Sequence, residues 1–390
     1  MVIMDPQTKE LIADETECCR LWKEHYDALC REGDSHSKDR AHWEGLMGSK
    51  TWDDQESWDE YWDAAITTDE LEAALRHLKN NKSTGNDGIP AEVYNAFLKD
   101  PETEGDDANA RGANEDPLGL QDGRLDGLRG AETGLEDDDD ESDARDEQHK
   151  ASLDARTLLL HAVNTLFNGH IPDAMFCSIV VSIFKKNDPA DMNNYRGISL
   201  MPVLLKITCS VIAVRLSDAF EAREMLTDAQ AGFRPYKRCV GHVAALCETV
   251  SRWRGKYSAR ESAAQPVPRD VDSAREENIG PAPITHQQSP SSVYLCFVDF
   301  QKAYDRVPHE ALLAKLRYYG VTGRTYSFIE TLYARSVMQI RVGESLSEPV
   351  ELKRGLRQGC PMSPILFSIY INDILPEGIW NKRITNVSSI

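Results

Sequence analysis

The stretch that decides the fold is VYLCFVDFQKAYDRVPHEALL, residues 293–313. Its first six residues are apolar and lead directly to Asp299, which predicts a buried β-strand over residues 293–299. A carboxylate at the exit of such a strand is a frequent ligand of a hard cation, because the strand fixes its oxygens and a neighbouring carbonyl adds a further ligand. Asp305 is expected only to cap the next element. Taken alone, Asp299 also fits an ordinary cap or turn.

The composition describes a globular chain with an uneven charge. The 390 residues are 41% hydrophobic, enough for a core, and carry a formal net charge of -20, which argues against binding phosphates. Residues 1–100 contain 23 acidic and 11 basic side chains, and residues 101–150 contain 18 and 5. The remaining C-terminal part has 23 acidic and 28 basic side chains, so it is mildly basic and compatible with a nucleic-acid partner.

Cysteine usage and hydropathy indicate an intracellular protein. The nine cysteines are scattered, with no C-x-x-C pair and no histidine at metal-ligand spacing, and they are expected to be reduced and mostly buried. No segment approaches the ~18 apolar residues of a membrane span, and the first residues do not resemble a signal peptide. We therefore expect no membrane partner; the sequence does not distinguish nucleus from cytoplasm.

Apolar periodicity and breaker residues predict the order of elements. A capping box at Thr67 and Glu70 opens one helix. Acidic low-complexity sequence over 100–152 and a Pro/Ser/Ala/Gln-rich stretch over 255–291 are predicted to be disordered insertions. The remaining predictions are a helix within 8–33, a strand at 178–184, a loop at 187–202, a helix at 203–220, a helix ending near 254, helices at 309–319 and 324–336, a hairpin at 337–355 and a helix at 362–375.

Five sequence blocks occur in one order along the chain. They are KSTGNDGIPAEVY (82–94), YRGISLMPVLLK (195–206), QAGFRPYKR (230–238), FVDFQKAYD (297–305) and GLRQGCPMSPILFSIYINDIL (355–375). Together they resemble the reverse transcriptase of LINE-type retrotransposons, the class without long terminal repeats. The resemblance extends over more than half of the chain, and five blocks agreeing in order make it specific.

The resemblance implies an α+β fold: the fingers and a partial palm of a right-hand polymerase, with the thumb absent and two disordered insertions. It divides the chain into an N-terminal helical segment (1–66), an N-terminal extension of the reverse transcriptase (67–99), the acidic insertion (100–152), the fingers (153–254), the low-complexity insertion (255–291) and the partial palm (292–390).

The resemblance also implies the reaction centre. In the family, nucleotides are joined by in-line phosphoryl transfer with two Mg²⁺ held on carboxylates. Asp299 matches the catalytic, metal-binding carboxylate, and the carbonyl of Phe300 matches a further metal ligand. Tyr304 is similar to the aromatic residue that lies under the sugar and excludes a 2′-hydroxyl. The alternative for Tyr304 is a side chain that is merely packed.

The remaining implied contacts are to the nucleotide. Gln358 and Gly359 match a loop beside the incoming nucleotide, although the glycine also suits an ordinary loop-to-helix turn. The basic residues expected to meet phosphates are Lys185, Arg196, Lys206 and Arg234. For each of them a surface salt bridge is an equal alternative, and YRG departs from the commoner Arg-Pro pair of this block. The implied partners are an RNA template, a DNA primer and a deoxynucleoside triphosphate; no protein partner is identifiable.

One family motif is not present in the 390 residues. The other catalytic carboxylates of the family lie in an aromatic-x-Asp-Asp hairpin, and the sequence contains no such tetrapeptide. One aspartate does not suffice for two Mg²⁺, so the sequence as written is expected to be inactive and its magnesium site incomplete. The alternative function is a non-catalytic nucleic-acid-binding remnant or scaffold. An RNA-dependent RNA polymerase is disfavoured by Tyr304 and by the YRGISL and QAGFRP blocks.

Overall fold

A computed structural model describes residues 1–31, 39–48, 55–98, 154–235, 237–263, 295 and 297–374. The chain divides into two compact units, one formed by Met1–Asp218 with Tyr304–Ser363 and the other by Ala219–Ala303 with Pro364–Ile390. Helices and sheet are both present, as the α+β prediction requires. The predicted acidic insertion at 100–152 falls entirely within residues 99–153, which lie outside the described residues.

The first unit is built on a five-stranded mixed sheet. Its strands are β3 (Cys177–Phe184), β4 (Tyr195–Leu200), β5 (Val337–Val342), β6 (Ser345–Leu346) and β7 (Val350–Glu351). Strand β3 pairs antiparallel with β4 and parallel with β5, and β5 also pairs antiparallel with β6 and β7. The predicted strand at 178–184 and the hairpin at 337–355 are therefore confirmed.

The loop predicted over 187–202 was wrong in its second half. Residues 195–200 form β4, paired with β3 from Phe184↔Tyr195 to Ile179↔Leu200. Asparagine and proline breakers made the whole segment resemble a loop, but the strand depends on hydrogen bonds to β3, which local sequence does not encode. Gly197 has a tertiary role here: a Cβ at this position would collide with the Tyr26 hydroxyl.

The N-terminal segment packs on this sheet. A short hairpin, β1 (Ile3–Met4) and β2 (Leu11–Ile12), precedes α1 (Glu15–Cys30), which confirms the helix expected within 8–33. Asp14 caps α1 by accepting from the backbone N–H of Glu17 at 2.9 Å. Buried side chains of α1 share one apolar core with the central strands, in a cluster that includes Cys18, Trp22, Tyr26, Val180, Met338 and Ile340.

Helices complete the first unit. The capping box at Thr67 and Glu70 is present, and Glu70 also accepts two hydrogen bonds from the buried Arg215 guanidinium at 2.6 and 2.8 Å. Trp62 donates its indole N–H to the carbonyl of Gly320 at 3.0 Å. The helices are α2 (Arg40–Met47), α3 (Gln55–Asp63), α4 (Thr68–Arg76), α5 (Ala91–Asn95), α6 (154–167), α7 (Val203–Ala222), α9 (His309–Tyr318) and α10 (Gly323–Ala334).

The second unit contains α8 (Cys239–Ala263) and most of α11 (Ser363–Ile371). The side-chain amide of Asn372 donates to the carbonyl of Met225 at 2.8 Å and accepts from the backbone N–H of Thr227 at 2.9 Å. Helix α8 continues to residue 263, although the second insertion was predicted to begin at residue 255. The rest of that insertion, 264–291, lies outside the described residues.

The predicted strand over 293–299 was wrong for the residues that the structure describes. Leu295 and residues 297–300 have no strand conformation and pair with none of the strands described above. Phe297 and Val298 are 81% and 75% exposed. An apolar run predicts a strand only when a neighbouring strand supplies backbone partners and a covering face, and no described residue supplies them here.

Two features of the described ranges concern the chemical class of the protein, its thiols and the hydropathy of its helices. Eight cysteines fall within them and all eight are free thiols, as expected for a reduced protein. No helix in these ranges combines the length and hydropathy needed to cross a membrane.

Candidate nucleotide-binding site

The loop that joins β7 to α11 is held against the segment 304–307. Gly355 donates its N–H to the carbonyl of Val307 at 2.8 Å, and Leu356 donates to the carbonyl of Tyr304 at 2.9 Å. Gly355 has φ +95°, and a Cβ there would lie 2.9 to 3.1 Å from backbone atoms of Asp305. The two segments therefore approach so closely that only glycine fits at position 355.

The same loop is also fixed to β4. The N–H of Ser199 donates to the carbonyl of Gln358 at 2.7 Å. Gly359 has φ +129°, and a Cβ there would lie 2.5 Å from the carbonyl oxygen of Ser199. The backbone of Gly359 therefore lies close to a strand of the sheet, and its place beside a nucleotide stays a prediction.

The side chain of Gln358 has a partner that sequence reasoning missed. Its Nε2 donates to Oδ1 of Asp305 at 2.8 Å, in a partly buried setting. Asp305 was expected only to cap the next element. No sequence rule connects residues this far apart in the chain, but the two glycines in GLRQG were a signal that this loop meets another backbone closely.

Arg357, next to Gln358, is a buried cation that sequence reasoning also missed. Its Nη2 donates to the carbonyl of Phe176 at 2.6 Å and to Oγ of Ser336 at 2.9 Å. Its backbone carbonyl accepts from the hydroxyl of Ser363 at 2.7 Å. Burial lowers the pKa of the guanidinium. Arg357 therefore anchors the loop inward, away from the surface where Gln358 lies.

Two thiols lie beside this arginine. A hydrogen bond with Cys209 is the main cause that lowers the pKa of Cys360 to about 7, and the nearby charge of Arg357 acts in the same direction. Burial raises the pKa of the Cys209 thiol. The buried side of the Gln358 loop thus contains the titratable thiol of Cys360 as well as apolar side chains.

His309, at the start of α9, contacts the Gln358 loop at the backbone of Gly355. Its Nε2 lies 2.8 Å from the carbonyl oxygen of Gly355, and because a carbonyl only accepts, the ring nitrogen must carry the hydrogen. Burial lowers the pKa of His309 to about 4, so the ring is neutral at physiological pH. The motif VPH contains this histidine, but nothing in its local pattern indicated the contact.

Tyr304 lies one residue before Asp305, in the 3₁₀ turn Tyr304–Arg306. It is half-buried, and burial raises the pKa of its hydroxyl to about 12. Its carbonyl oxygen accepts the hydrogen bond from Leu356, so its backbone is fixed relative to the Gln358 loop. The structure thus brings Tyr304, Gln358 and Gly359 together; the role of Tyr304 under a sugar stays a prediction.

Three of the predicted phosphate-binding cations lie in the same unit. Arg196 is on β4 opposite Ile183, and Lys185 directly follows β3, so the two lie at the same end of the β3–β4 pair. Lys206 is on α7, four residues after Pro202. None of the three forms an ion pair with another described residue, and their contact with phosphate stays a prediction.

Arg234, in the second unit, is already paired. Its Nε and Nη2 each donate to one oxygen of the Glu221 carboxylate at 2.6 Å, and Nη1 donates to the carbonyls of Thr227 and Gln230. The paired arginine lowers the pKa of Glu221. This is the salt-bridge alternative that the sequence left open, and the phosphate contact stays a prediction.

The metal site is not assembled by the described residues. Asp299 and Phe300 lie in the second unit, in the exposed segment without strand conformation. No three histidine, cysteine, aspartate or glutamate side chains come together as a potential metal site in the described ranges. Two Mg²⁺ need several carboxylate oxygens, so these residues do not fit the predicted cofactor by themselves.

Comparison with known proteins gives the family. Residues 183–384, just over half of the chain, match the family described as "Reverse transcriptase (RNA-dependent DNA polymerase)". These residues include the end of β3, the whole of β4, the segment 304–307 and the Gln358 loop.

Curated relatives agree with that match. One is a "Transposon TX1 uncharacterized 149 kDa protein" of Xenopus laevis, 23% identical over 83% of this chain and 18% of its own length. A "Probable RNA-directed DNA polymerase from transposon BS" of Drosophila melanogaster is 28% identical over 50% of this chain and 18% of its own. A "Retrovirus-related Pol polyprotein from type-1 retrotransposable element R2" of Popillia japonica is 25% identical over 54% of this chain and 24% of its own.

The chain thus spans less than a quarter of the length of these three relatives. With the family match over residues 183–384 and relatives from retrotransposable elements, the resemblance carried by the five sequence blocks is confirmed. The chain belongs to the reverse transcriptase (RNA-dependent DNA polymerase) family, in the LINE-type branch of retrotransposons without long terminal repeats.

Proposed function

We propose that this chain supplies the nucleotide-positioning part of an RNA-directed DNA polymerase that acts on an RNA template, a DNA primer and a deoxynucleoside triphosphate. One observation supports this above the others: the Gln358 loop is fixed from two sides, by Ser199 of β4 and by the segment that contains Tyr304. Positioning dominates the catalysis of phosphoryl transfer, and a site held by backbone contacts on both sides is preorganised for it.

In this proposal the residues have separate tasks. Gln358 and Gly359 border the incoming nucleotide, and Tyr304 lies under its sugar. Lys185 and Arg196, at one end of the β3–β4 pair and without protein counter-ions in the described residues, attract the triphosphate or a template phosphate. Lys206 and Arg234 are assigned the same task on family resemblance.

The chemical step belongs to the family and requires more than residues 1–390 supply. Asp299 is proposed as one of its metal-binding carboxylates, with the carbonyl of Phe300 beside it, in two-metal nucleotidyl transfer. Because the sequence contains no aromatic-x-Asp-Asp motif, we infer that these 390 residues bind template, primer and nucleotide without joining them.

Binding and extension by the same protein test this proposal. An RNA template annealed to a labelled DNA primer is titrated with the chain, and the affinity is followed by fluorescence anisotropy at several salt concentrations. We expect Lys185→Ala/Arg196→Ala to weaken binding and to lower the slope of log affinity against log salt by about two, since each lost phosphate contact removes about one counter-ion.

A matched control removes two cations elsewhere. Arg20→Ala/Arg76→Ala changes the charge equally, but both arginines are exposed and engaged in helical ion pairs with glutamates. This variant should keep the salt slope of the unchanged chain. Equal losses in both double variants would mean that only net charge matters, and that the β3–β4 end is no phosphate site.

The alternative, a non-catalytic nucleic-acid-binding module or scaffold, is favoured by the absence of a metal cluster within the described ranges. It predicts template–primer binding that deoxynucleotides do not strengthen. The polymerase hypothesis predicts that the matching deoxynucleotide tightens the binding of the chain to a template–primer duplex whose primer ends in a dideoxynucleotide. Extension of an ordinary primer by the chain with Mg²⁺ would refute the inferred inactivity.

A further inference from the structure

The hydrogen bond between Asp305 and Gln358 points to a role that the family match does not assign. We propose that Asp305 is a positioning residue that fixes which atom of the Gln358 amide faces the nucleotide. This inference rests on the proposed function of the Gln358 loop. Its basis is the 2.8 Å contact from Nε2 of Gln358 to Oδ1 of Asp305.

The chemistry of the two groups determines the orientation. A glutamine amide has a donor end and an acceptor end of nearly the same shape, and in a neutral surrounding it can turn either end outward. An ionised carboxylate only accepts hydrogen bonds, so it holds the NH₂ end and repels the oxygen end. With Asp305 in place, one N–H of Nε2 is engaged and the amide is held with Oε1 turned away from Asp305, so that Gln358 offers Oε1 to a nucleotide.

The backbone keeps the pair at this distance. On one side, Gly355 packs on the backbone of Asp305, while the neighbouring bonds Gly355 to Val307 and Leu356 to Tyr304 join the two segments at 2.8 and 2.9 Å. On the other side, the carbonyl of Gln358 is held by Ser199. Neither residue can withdraw from the other without breaking these backbone bonds.

The surroundings strengthen the hydrogen bond between Gln358 and Asp305, so that it can hold the amide in one orientation. It is partly buried, and a hydrogen bond to an ionised group is shorter and about twice as strong as a neutral one. Gln358 then presents an acceptor with a fixed direction, which favours a donor group on the bound nucleotide. Tyr304 directly precedes Asp305, so the same turn places the ring and orients the amide.

A graded series of variants in two backgrounds tests this. The full chain carries Asp305, Asp305→Asn or Asp305→Ala, each with Gln358 or with Gln358→Ala. Each protein is loaded with an RNA template and a DNA primer ended by a dideoxynucleotide, and dTTP opposite a template adenine is titrated by calorimetry with Mg²⁺ present. The dissociation constant of dTTP and the melting temperature are recorded for all six.

We expect Asp305→Asn to weaken dTTP binding by a few-fold and Asp305→Ala by about tenfold, because asparagine still accepts but no longer enforces one orientation. With Gln358→Ala, both changes should alter binding by less than about twofold, since Asp305 then has no amide to orient. The control Asp69→Ala, at an exposed carboxylate in the first turn of α4, should have no effect in either background.

The outcomes separate this inference from the proposed function. Equal fold-changes in both backgrounds would overturn it, because Asp305 would then act by folding or by charge alone. If Asp305→Ala melts at a much lower temperature, the comparison rests on Asp305→Asn, which keeps the shape of the side chain. No binding of dTTP by the unchanged chain would refute the proposed function, and the positioning role would fall with it.

Discussion

At the residue scale, the Gln358 loop shows how a few contacts fix a site. Glycines at 355 and 359 let the loop meet two other backbones, and His309 and Arg357 hold it from within the core. Each contact satisfies a backbone or side-chain polar group that would otherwise be buried without a partner. The loop is therefore sensitive to single substitutions that leave its sequence pattern nearly intact.

His309 makes the stability of the protein depend on pH. Its folded-state pKa is lowered to about 4, below the usual 6.5, so the unfolded chain binds the proton first as the pH falls. Stability is complete above about pH 6.5 and decreases toward pH 4. Between pH 7 and 5 we expect a loss of about 2 kcal/mol, measurable by urea unfolding. His309→Gln, which can still donate to Gly355, should lack this component; an identical pH profile would contradict the assignment.

Gly359→Ala is expected to cost about 2 kcal/mol or more of unfolding free energy. The added Cβ would meet the carbonyl oxygen of Ser199 at 2.5 Å and occupy a backbone conformation that L-residues avoid. Gly45→Ala is the control, because Gly45 is exposed in α2 with nothing within 4 Å of its added Cβ. It should stabilise the protein by about 0.5–1 kcal/mol. Similar effects at both positions would mean that the contact with β4 is not tight.

At the scale of elements, α1 acts as a support for the sheet. Trp22 of α1 packs edge-on against Tyr195 of β4, with ring centroids 5.2 Å apart. The hydroxyl of Tyr26 lies 3.2 Å from that of Ser182 on β3, and Gly197 leaves room for its ring. Helix α1 therefore supports the site through β4, which holds the Gln358 loop, and also directly, because Nε of Arg354 donates to the carbonyl of Leu29 at 2.9 Å.

Trp22→Ala should therefore lower the unfolding free energy of the whole sheet-containing unit and not only the stability of α1. Trp22 is fully buried, and truncating a buried tryptophan costs about 3–5 kcal/mol. Arg20→Ala, on the exposed face of the same helix, should cost no more than about 1 kcal/mol. Denaturant unfolding of both variants decides the point: if Trp22→Ala costs as little as Arg20→Ala, then α1 is not part of the folded core.

At the scale of the whole molecule, the net negative charge opposes the proposed binding of nucleic acid. The net charge of -20 repels nucleic acid, although residues 151–390 are mildly basic. Acidic side chains are concentrated at 101–150, with 18 against 5 basic ones. Such a segment weakens phosphate binding at long range and does so most at low salt.

Neutralising the acids of 101–150 by Asp→Asn and Glu→Gln should raise the affinity for an RNA–DNA duplex at about 50 mM salt. At about 0.5 M salt the difference should nearly vanish, because screening then acts within a few ångströms. Anisotropy titrations at both concentrations test this. A gain that persists at high salt would mean that the segment competes by direct contact with the binding site.

The exposed apolar segment at 297–300 should make the chain prone to association. Phe297→Ser/Val298→Ser removes two large exposed side chains and is expected to reduce light scattering on mild warming. Leu158→Ser is the control, since Leu158 is an isolated exposed residue, 69% accessible. Equal scattering by the unchanged chain and by Phe297→Ser/Val298→Ser would show that this segment does not drive association.

Much of the fold and part of the site could be predicted because their signals are local. Helix α9, the strand β3 and the capping box at Thr67 follow from periodicity and end residues. Strand β4 could not be predicted, since its hydrogen bonds come from β3. Nor could the contact of Asp305 with Gln358 be predicted, because the two residues are 53 positions apart in the chain.

The sequence by itself determined the family, through motif residues such as Gln358 and Asp299 that stand in a fixed order. It also determined most helices, because their hydrogen bonds close within four residues. Only the tertiary structure decided that β4 is a strand, that Asp305 holds the Gln358 amide and that the segment after Leu295 has no strand partner among the described residues. These depend on pairing between distant parts of the chain, and local pattern carries no information about which distant partner arrives.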